Sequence, residues 1–176
     1  RSNPSPCSSA DMGIEIERKF LVRGDAWRTQ VSRRIAMDQG YLGGERCSVR
    51  VRLEGDDARL NIKSREAGAS RIEFEYAIPV PDAQDMLARL SGPRVTKTRH
   101  HVEVEGALFE IDEFAGENAG LIVAEIELDA VDAPFPRPDW LGREITDEVR
   151  FYNLRLAETP FSTWPDRAAL IEEIAC

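Results

Sequence analysis

Glu15-Ile16-Glu17-Arg18-Lys19-Phe20-Leu21-Val22 is the stretch whose reading decides the fold. On a strand successive side chains point to opposite faces, so Glu15, Glu17 and Lys19 share one face. That face carries two acids and a base, where a half-buried strand usually presents a simple wetted surface. The same phase recurs along the chain. Arg50 and Arg52 align, Lys63 ends Leu60-Asn61-Ile62-Lys63, and Arg71, Glu73 and Glu75 fall together. Lys97 aligns with Arg99, Glu110 with Asp112, and Glu125 with Glu127.

Between these charges lie Ile16, Val51, Leu53, Ile62, Ile72, Phe74, Ile111 and Ile126, an apolar face of the same strands. Two readings compete. A single strand of this kind is ordinarily a solvated outer face. Here, however, bases gather on some strands and acids on others. If helices cover the outside of a small barrel, the apolar faces point outward to meet them and the charges line the interior. Arg and Lys clusters suit phosphate oxygens. Carboxylates in the same cavity would repel a polyphosphate unless a divalent cation stands between them, and Mg²⁺ or Mn²⁺ takes oxygen ligands of both kinds.

Period-2 alternation places strands at 13–22, 37–42, 46–54, 58–65, 71–79, 95–105, 107–114 and 121–129. Turns at Gly43-Gly44, Gly55-Asp56-Asp57, Ala67-Gly68-Ala69, Gly106 and Gly116 separate most of them. The expected class is mainly β (α+β): an eight-stranded antiparallel barrel with helices packed outside and a C-terminal helix. Helices are expected at 25–34, at 82–90 with Asp82 as cap, at 147–156 after Thr146, and at 165–175 with Ala168, Leu170, Ile171 and Ile174 to one side. Residues 1–11 read as a flexible extension or cloning remnant, 12–157 as the barrel domain, and 158–176 as its helical tail.

With 31% charged and 42% hydrophobic residues the chain has a globular composition, and its net charge of −9 disfavours a general nucleic-acid binder. No run approaches the roughly 20 apolar residues of a membrane span, and no signal peptide is evident. Cys7, Cys47 and Cys176 have no metal or disulfide spacing and read as reduced thiols of a cytoplasmic protein. With only His100 and His101, and no GxSxG or GxxxxGK[ST] loop, neither a serine hydrolase nor a P-loop enzyme is indicated.

The ordered set Glu15 to Lys19, Gly40-Tyr41-Leu42, Arg50-Val51-Arg52-Leu53, Ile62-Lys63-Ser64, Arg71 to Glu75, Lys97-Thr98-Arg99, Phe109 to Phe114, Ala124 to Glu127 and Trp140-Leu141-Gly142 resembles the triphosphate tunnel metalloenzymes, the CYTH superfamily. The likeness covers about residues 13–157, and its wording is most similar to short bacterial inorganic tripolyphosphatases. It implies an eight-stranded tunnel, a divalent metal (Mg²⁺ or Mn²⁺) and a triphosphate substrate. Carried over residue by residue, it implies Glu15, Glu17, Glu125 and Glu127 on the metal, with Glu73, Glu75 and Asp112 holding a second metal or placing water. Arg50, Arg52, Lys63, Arg71, Lys97 and Arg99 would grip phosphates, and Lys19 with Tyr41 would assist water activation. His101, in phase with Arg99, is the better-placed histidine.

The leading expectation is metal-dependent hydrolysis of inorganic tripolyphosphate to diphosphate and phosphate, by a monomer or homodimer. Thiamine triphosphatase, a class IV adenylate cyclase type of enzyme, and a polyphosphate-binding module without turnover stand as alternatives.

Overall fold

A computed structural model of the chain describes residues 13–43, 47–64 and 70–175, the side chains of 13–15, 70 and 71 excepted. The expected extension at 1–11, the turns at Gly44 and Ala67-Gly68-Ala69, and Cys7 and Cys176 lie outside the described residues. Among the described residues nine antiparallel strands form one sheet: β1 (Gly13–Val22), β2 (Val31–Tyr41), β3 (Cys47–Glu54), β4 (Asp57–Ser64), β5 (Ser70–Ala77), β6 (Arg94–Val104), β7 (Ala107–Phe114), β8 (Ile122–Glu127) and β9 (Leu141–Glu144). Their order is β5-β4-β3-β2-β6-β7-β8-β1-β9, and β5 also pairs with β1. β1 therefore bonds β8 through Glu17–Leu21 and, along its other edge, β5 through Gly13–Ile16 and β9 near Phe20–Val22. Pairing thus runs round the eight expected strands, and β9 is a ninth that the sequence did not reveal.

The other departures are local. Residues expected to be helical at 25–34 form a short 3₁₀ turn, Ala26–Gln30, after which β2 begins at Val31 rather than at 37. Helix α1 spans Val80–Arg89 with Pro79 at its N-cap, so Asp82 sits in the first turn and does not cap. The helix expected at 147–156 divides into a 3₁₀ turn at Val149–Phe151 and α2, Asn153–Glu158. Thr146 caps neither: its hydroxyl accepts the Lys19 N–H at 3.0 Å and donates to Glu144 at 2.8 Å. Helix α3 occupies Arg167–Ala175 with Leu170 and Ile174 buried, while Ala168 is exposed.

Among the described residues three apolar clusters explain how the sheet is held. On the outer face Phe20, Val22, Val102, Phe109, Ile111, Ala124 and Ile126 pack under Trp27, Trp140 and Leu141. Beside them, Val51 and Ala58 of β3 and β4 pack against Ala83 and Leu87 of α1. The apolar faces therefore do point outward, as the inverted reading required, although Ile72 remains 52% exposed. The third cluster is different. Leu21, Val95, Phe114 and Val123 stand on the inner face, in phase with the charged residues, and meet Phe151, Leu156, Phe161, Trp164, Leu170 and Ile174 from the C-terminal segments. Segments beyond residue 144 thus close one end of the barrel with an apolar plug. Among the described residues no helix is long and apolar enough to cross a membrane.

Candidate active site in the barrel interior

Above the plug lies a cavity of about 450 Å³ bordered by inner-face residues of β1 through β8 and by one turn of α2. Its position follows from strand phase and register. Glu17 faces Glu127 across β1 and β8, Lys19 faces Glu125, and Glu125 faces Glu110 of β7. Tyr41 faces Arg50, Arg50 faces Asn61, and Lys63 faces Glu73. Alternation chose the face, and antiparallel pairing brought residues distant in sequence level with one another.

The lining has two walls. Along β1, β7 and β8 stand Glu17, Glu110, Glu125 and Glu127, with Lys19 among them. The Lys19 ammonium is 2.9 Å from Glu17 and is also paired with Glu125. Burial alone would push Lys19 toward neutrality, but Glu125 and Glu17 outweigh it and hold its pKa above the ordinary value. Burial would likewise raise the Glu125 pKa, yet Lys19 and Arg99 hold that carboxyl well below its usual range. The opposite wall, on β3, β4 and β5, presents Arg50, Arg52, Lys63, Glu54, Glu73 and Glu75. Lys63 sits 2.9 Å from Glu73, and Arg52 lies 3.2 Å from Glu54 and 3.6 Å from Glu75. The Asn61 amide donates to Glu73 and to Glu75.

Arg50 stands apart. It borders the cavity but makes no hydrogen bond or ion pair among the described residues, and its Nε is buried without a partner. Arg52 Nε is buried and unpartnered too, and burial together with neighbouring Arg50 lowers the Arg52 pKa. Tyr41 also borders the cavity. Burial raises its phenol to about 12, against the pull of Arg50, Lys19 and Arg52, so the hydroxyl keeps its proton at neutral pH.

The residues expected from sequence are therefore not all equivalent. Glu17, Lys19, Tyr41, Arg50, Arg52, Lys63, Glu73, Glu75, Arg99, Glu125 and Glu127 meet around one space. Glu15 and Arg71 are register partners on β1 and β5, and their side chains lie outside the described residues. Lys97 and Asp112 share the inner face but not the cavity, being buried behind Arg99 at 3% and 0% exposure. His101 reaches Glu110 at 3.4 Å without bordering the cavity, and His100 turns outward to Glu113 at 3.1 Å. Sequence reasoning missed Glu110, although it shares a phase with Asp112. It also missed Glu54, Asn61, Tyr152 at the N-cap of α2, and the α2 residues Arg155 and Glu158, which only the tertiary fold brings to the lining.

The bordering residues include eight carboxylates and six cationic side chains, so the cavity is net acidic even though it holds strong phosphate-binding groups. Its acidic wall supplies only carboxylate oxygens, the donor set that hard divalent cations take. As arranged, Lys19 and Arg99 engage those carboxylates, and among the described residues no three ligand groups converge as a ready-made cage. The donors fit such a cation in kind and in place.

Fold and lining together define an antiparallel β-tunnel, closed at one end, with a mixed-charge interior. The chain belongs to the CYTH domain family, whose model matches residues 13–157. It is 42% identical over 157 residues to the inorganic triphosphatase of Acetivibrio thermocellus, a match covering 88% of this chain and 100% of that protein. With the inorganic triphosphatase of Nitrosomonas europaea it shares 37% over 148 residues, covering 81% and 96%. The crystal structure of the inorganic triphosphatase NE1496 superposes with a TM-score of 0.59 at 33% identity, over 83% of this chain and 95% of that one. An adenylyl cyclase-like protein from Hippeastrum, at 17% identity and a TM-score of 0.53 over 66% of this chain and 80% of its own, shares the fold alone. Triphosphatases of the CYTH family are metal-dependent.

Proposed function

We propose that this protein hydrolyses inorganic tripolyphosphate to diphosphate and phosphate with a divalent cation, Mg²⁺ or Mn²⁺. One observation carries the reading: Arg50, a cation without a partner among the described residues, borders a closed-ended cavity whose opposite wall is carboxylate. Arg50, Arg52, Lys63 and Arg99 would take the phosphate oxygens. Glu17, Glu125 and Glu127, with Glu15 from the same strand, would hold the cation, and Glu110 stands beside them. Glu73 and Glu75 keep Lys63 and Arg52 aimed inward. When bound, the cation supplies neutralisation of phosphate charge and polarisation of a phosphoryl oxygen.

Little covalent work then falls to the protein. The wall of bases orients the chain of phosphates, while Lys19 and the protonated Tyr41 donate hydrogen bonds that place the attacking water. The plug excludes solvent from one end. Relatives at 42% and 37% identity are named inorganic triphosphatases, which supports tripolyphosphate over organic triphosphates.

Phosphate release from tripolyphosphate, thiamine triphosphate and ATP, each with Mg²⁺ and with Mn²⁺, tests the assignment. Tripolyphosphate is expected to give the highest kcat/KM. Formation of cyclic AMP from ATP as the main activity would refute it, and tight polyphosphate binding without turnover would leave only a binding module.

A further inference from the structure

Among the described residues, Arg99 is the only cation bordering the cavity that is anchored from beneath by a fully buried acid. Asp112 lies directly across from it on β7 and is 0% exposed. Its Oδ1 accepts from Arg99 Nε at 2.8 Å and its Oδ2 from Arg99 Nη2 at 2.7 Å. Lys97, 3% exposed, donates to the same Oδ2 from the side away from the cavity, and its ammonium rests 5.6 Å from the Phe114 ring. Around this pair stand the apolar plug residues Leu21, Val95, Phe114 and Val123. Both Asp112 oxygens are thus consumed within the protein, and neither Asp112 nor Lys97 borders the cavity.

We propose that Asp112 is a positioning residue for Arg99 and not a metal ligand, with Lys97 completing a buried brace. A fork-to-fork carboxylate–guanidinium pair fixes the plane of the arginine as well as its place. That leaves Arg99 Nη1 directed to Glu110, and Nη2 also reaches Glu125 at 2.5 Å. Lys97 has a separate role. Two cations against one carboxylate leave the brace with a net positive charge, set in apolar surroundings immediately under the carboxylate wall. A buried ionic cluster is costly to desolvate and contributes little net stability for that cost, so its use lies in fixing one geometry of the group it holds. The brace sets the direction in which Arg99 faces phosphate.

The kinetic arm of the test rests on the triphosphatase reading, and the other two arms do not. Asp112→Asn preserves shape and removes the charge. The expected result is a tenfold or greater loss in kcat/KM for tripolyphosphate, while Mn²⁺ affinity measured calorimetrically stays within twofold of the parent. In an Arg99→Ala background the same change should cost less than twofold further. The ¹⁵Nε–H resonance of Arg99, protected in the parent by Asp112, should exchange rapidly in the variant. Should Asp112→Asn fail to fold because Lys97 is stranded, the pair Lys97→Met/Asp112→Asn carries the same three measurements. A tenfold loss of Mn²⁺ affinity would make Asp112 a ligand and overturn the proposal. Losses additive with Arg99→Ala, or an unchanged Arg99 resonance, would overturn it as well. If the parent proves inactive on tripolyphosphate, the functional reading alone falls, and the resonance still decides whether Asp112 holds Arg99.

Discussion

Arg50 and Arg52 are two residues apart on one strand, yet their surroundings give them different work. Arg52 is engaged by Glu54 and Glu75, whereas Arg50 has no partner among the described residues beside the cavity. A hydrogen bond to a charged group is worth about 1.5–3 kcal/mol, so Arg50→Ala is expected to lower kcat/KM for tripolyphosphate roughly 10- to 150-fold, chiefly through KM. Steady-state kinetics at saturating metal check this, and unchanged constants would remove Arg50 from the phosphate wall. Glu17→Gln should abolish metal-dependent turnover while leaving the protein folded, read by activity alongside circular dichroism. These residues were legible in the sequence because period 2 reports which face a side chain takes. Depth along the barrel axis was not legible. Lys97 and Asp112 share their face with Arg99 and Glu110 but sit one step nearer the plug, and only strand register together with the C-terminal cluster determines that step.

Among the elements, β9 and the first half of β2 escaped the sequence reading for separate reasons. Leu141–Glu144 is four residues long and lies on β1 by packing, too short to show a period. In β2 the segment Ser32-Arg33-Arg34 is exposed on both faces, so it shows no apolar alternation even though backbone pairing with β6 holds it extended. The close approach of β9 depends on Gly142. A Cβ there would stand 2.7 Å from the Leu21 carbonyl oxygen, a backbone atom already fixed between β8 and β9. Gly142→Ala is therefore expected to cost about 1–3 kcal/mol, seen as a drop of several degrees in the thermal midpoint. His100, packed edge-on to Trp27 with ring centroids 5.0 Å apart, gives the outer layer a pH dependence. Burial is the larger influence and lowers its pKa despite Glu113. The unfolded chain then binds the proton more readily, so stability is fullest above the ordinary histidine pKa of about 6.5 and is lost as pH falls below it. His100→Phe should flatten the fall in thermal midpoint between about pH 7 and pH 5, and an unchanged slope would show that the histidine contributes nothing to it.

For the molecule as a whole, the decisive event is that segments beyond residue 144 return to seal the barrel. Sequence period marked which charges share a face, left open whether that face turns inward, and placed a helix at 82–90, since each of these is a local property of one element; that α1 packs over β3 and β4 came only from the fold. It could not foretell which end the tail covers, because Phe151, Phe161 and Trp164 find partners only through chain reversal. Phe161 is fully buried there, and Phe161→Ala is expected to cost about 3–5 kcal/mol. The closed, net-acidic, arginine-bearing cavity that results is suited to an anion only when a cation accompanies it. ³¹P NMR of tripolyphosphate incubated with the protein and Mg²⁺ or Mn²⁺ tests that claim most directly. Diphosphate and phosphate should grow in equal amounts as tripolyphosphate disappears, and excess EDTA should stop the reaction. Persistence of tripolyphosphate with either metal, or the same rate in EDTA, would contradict it.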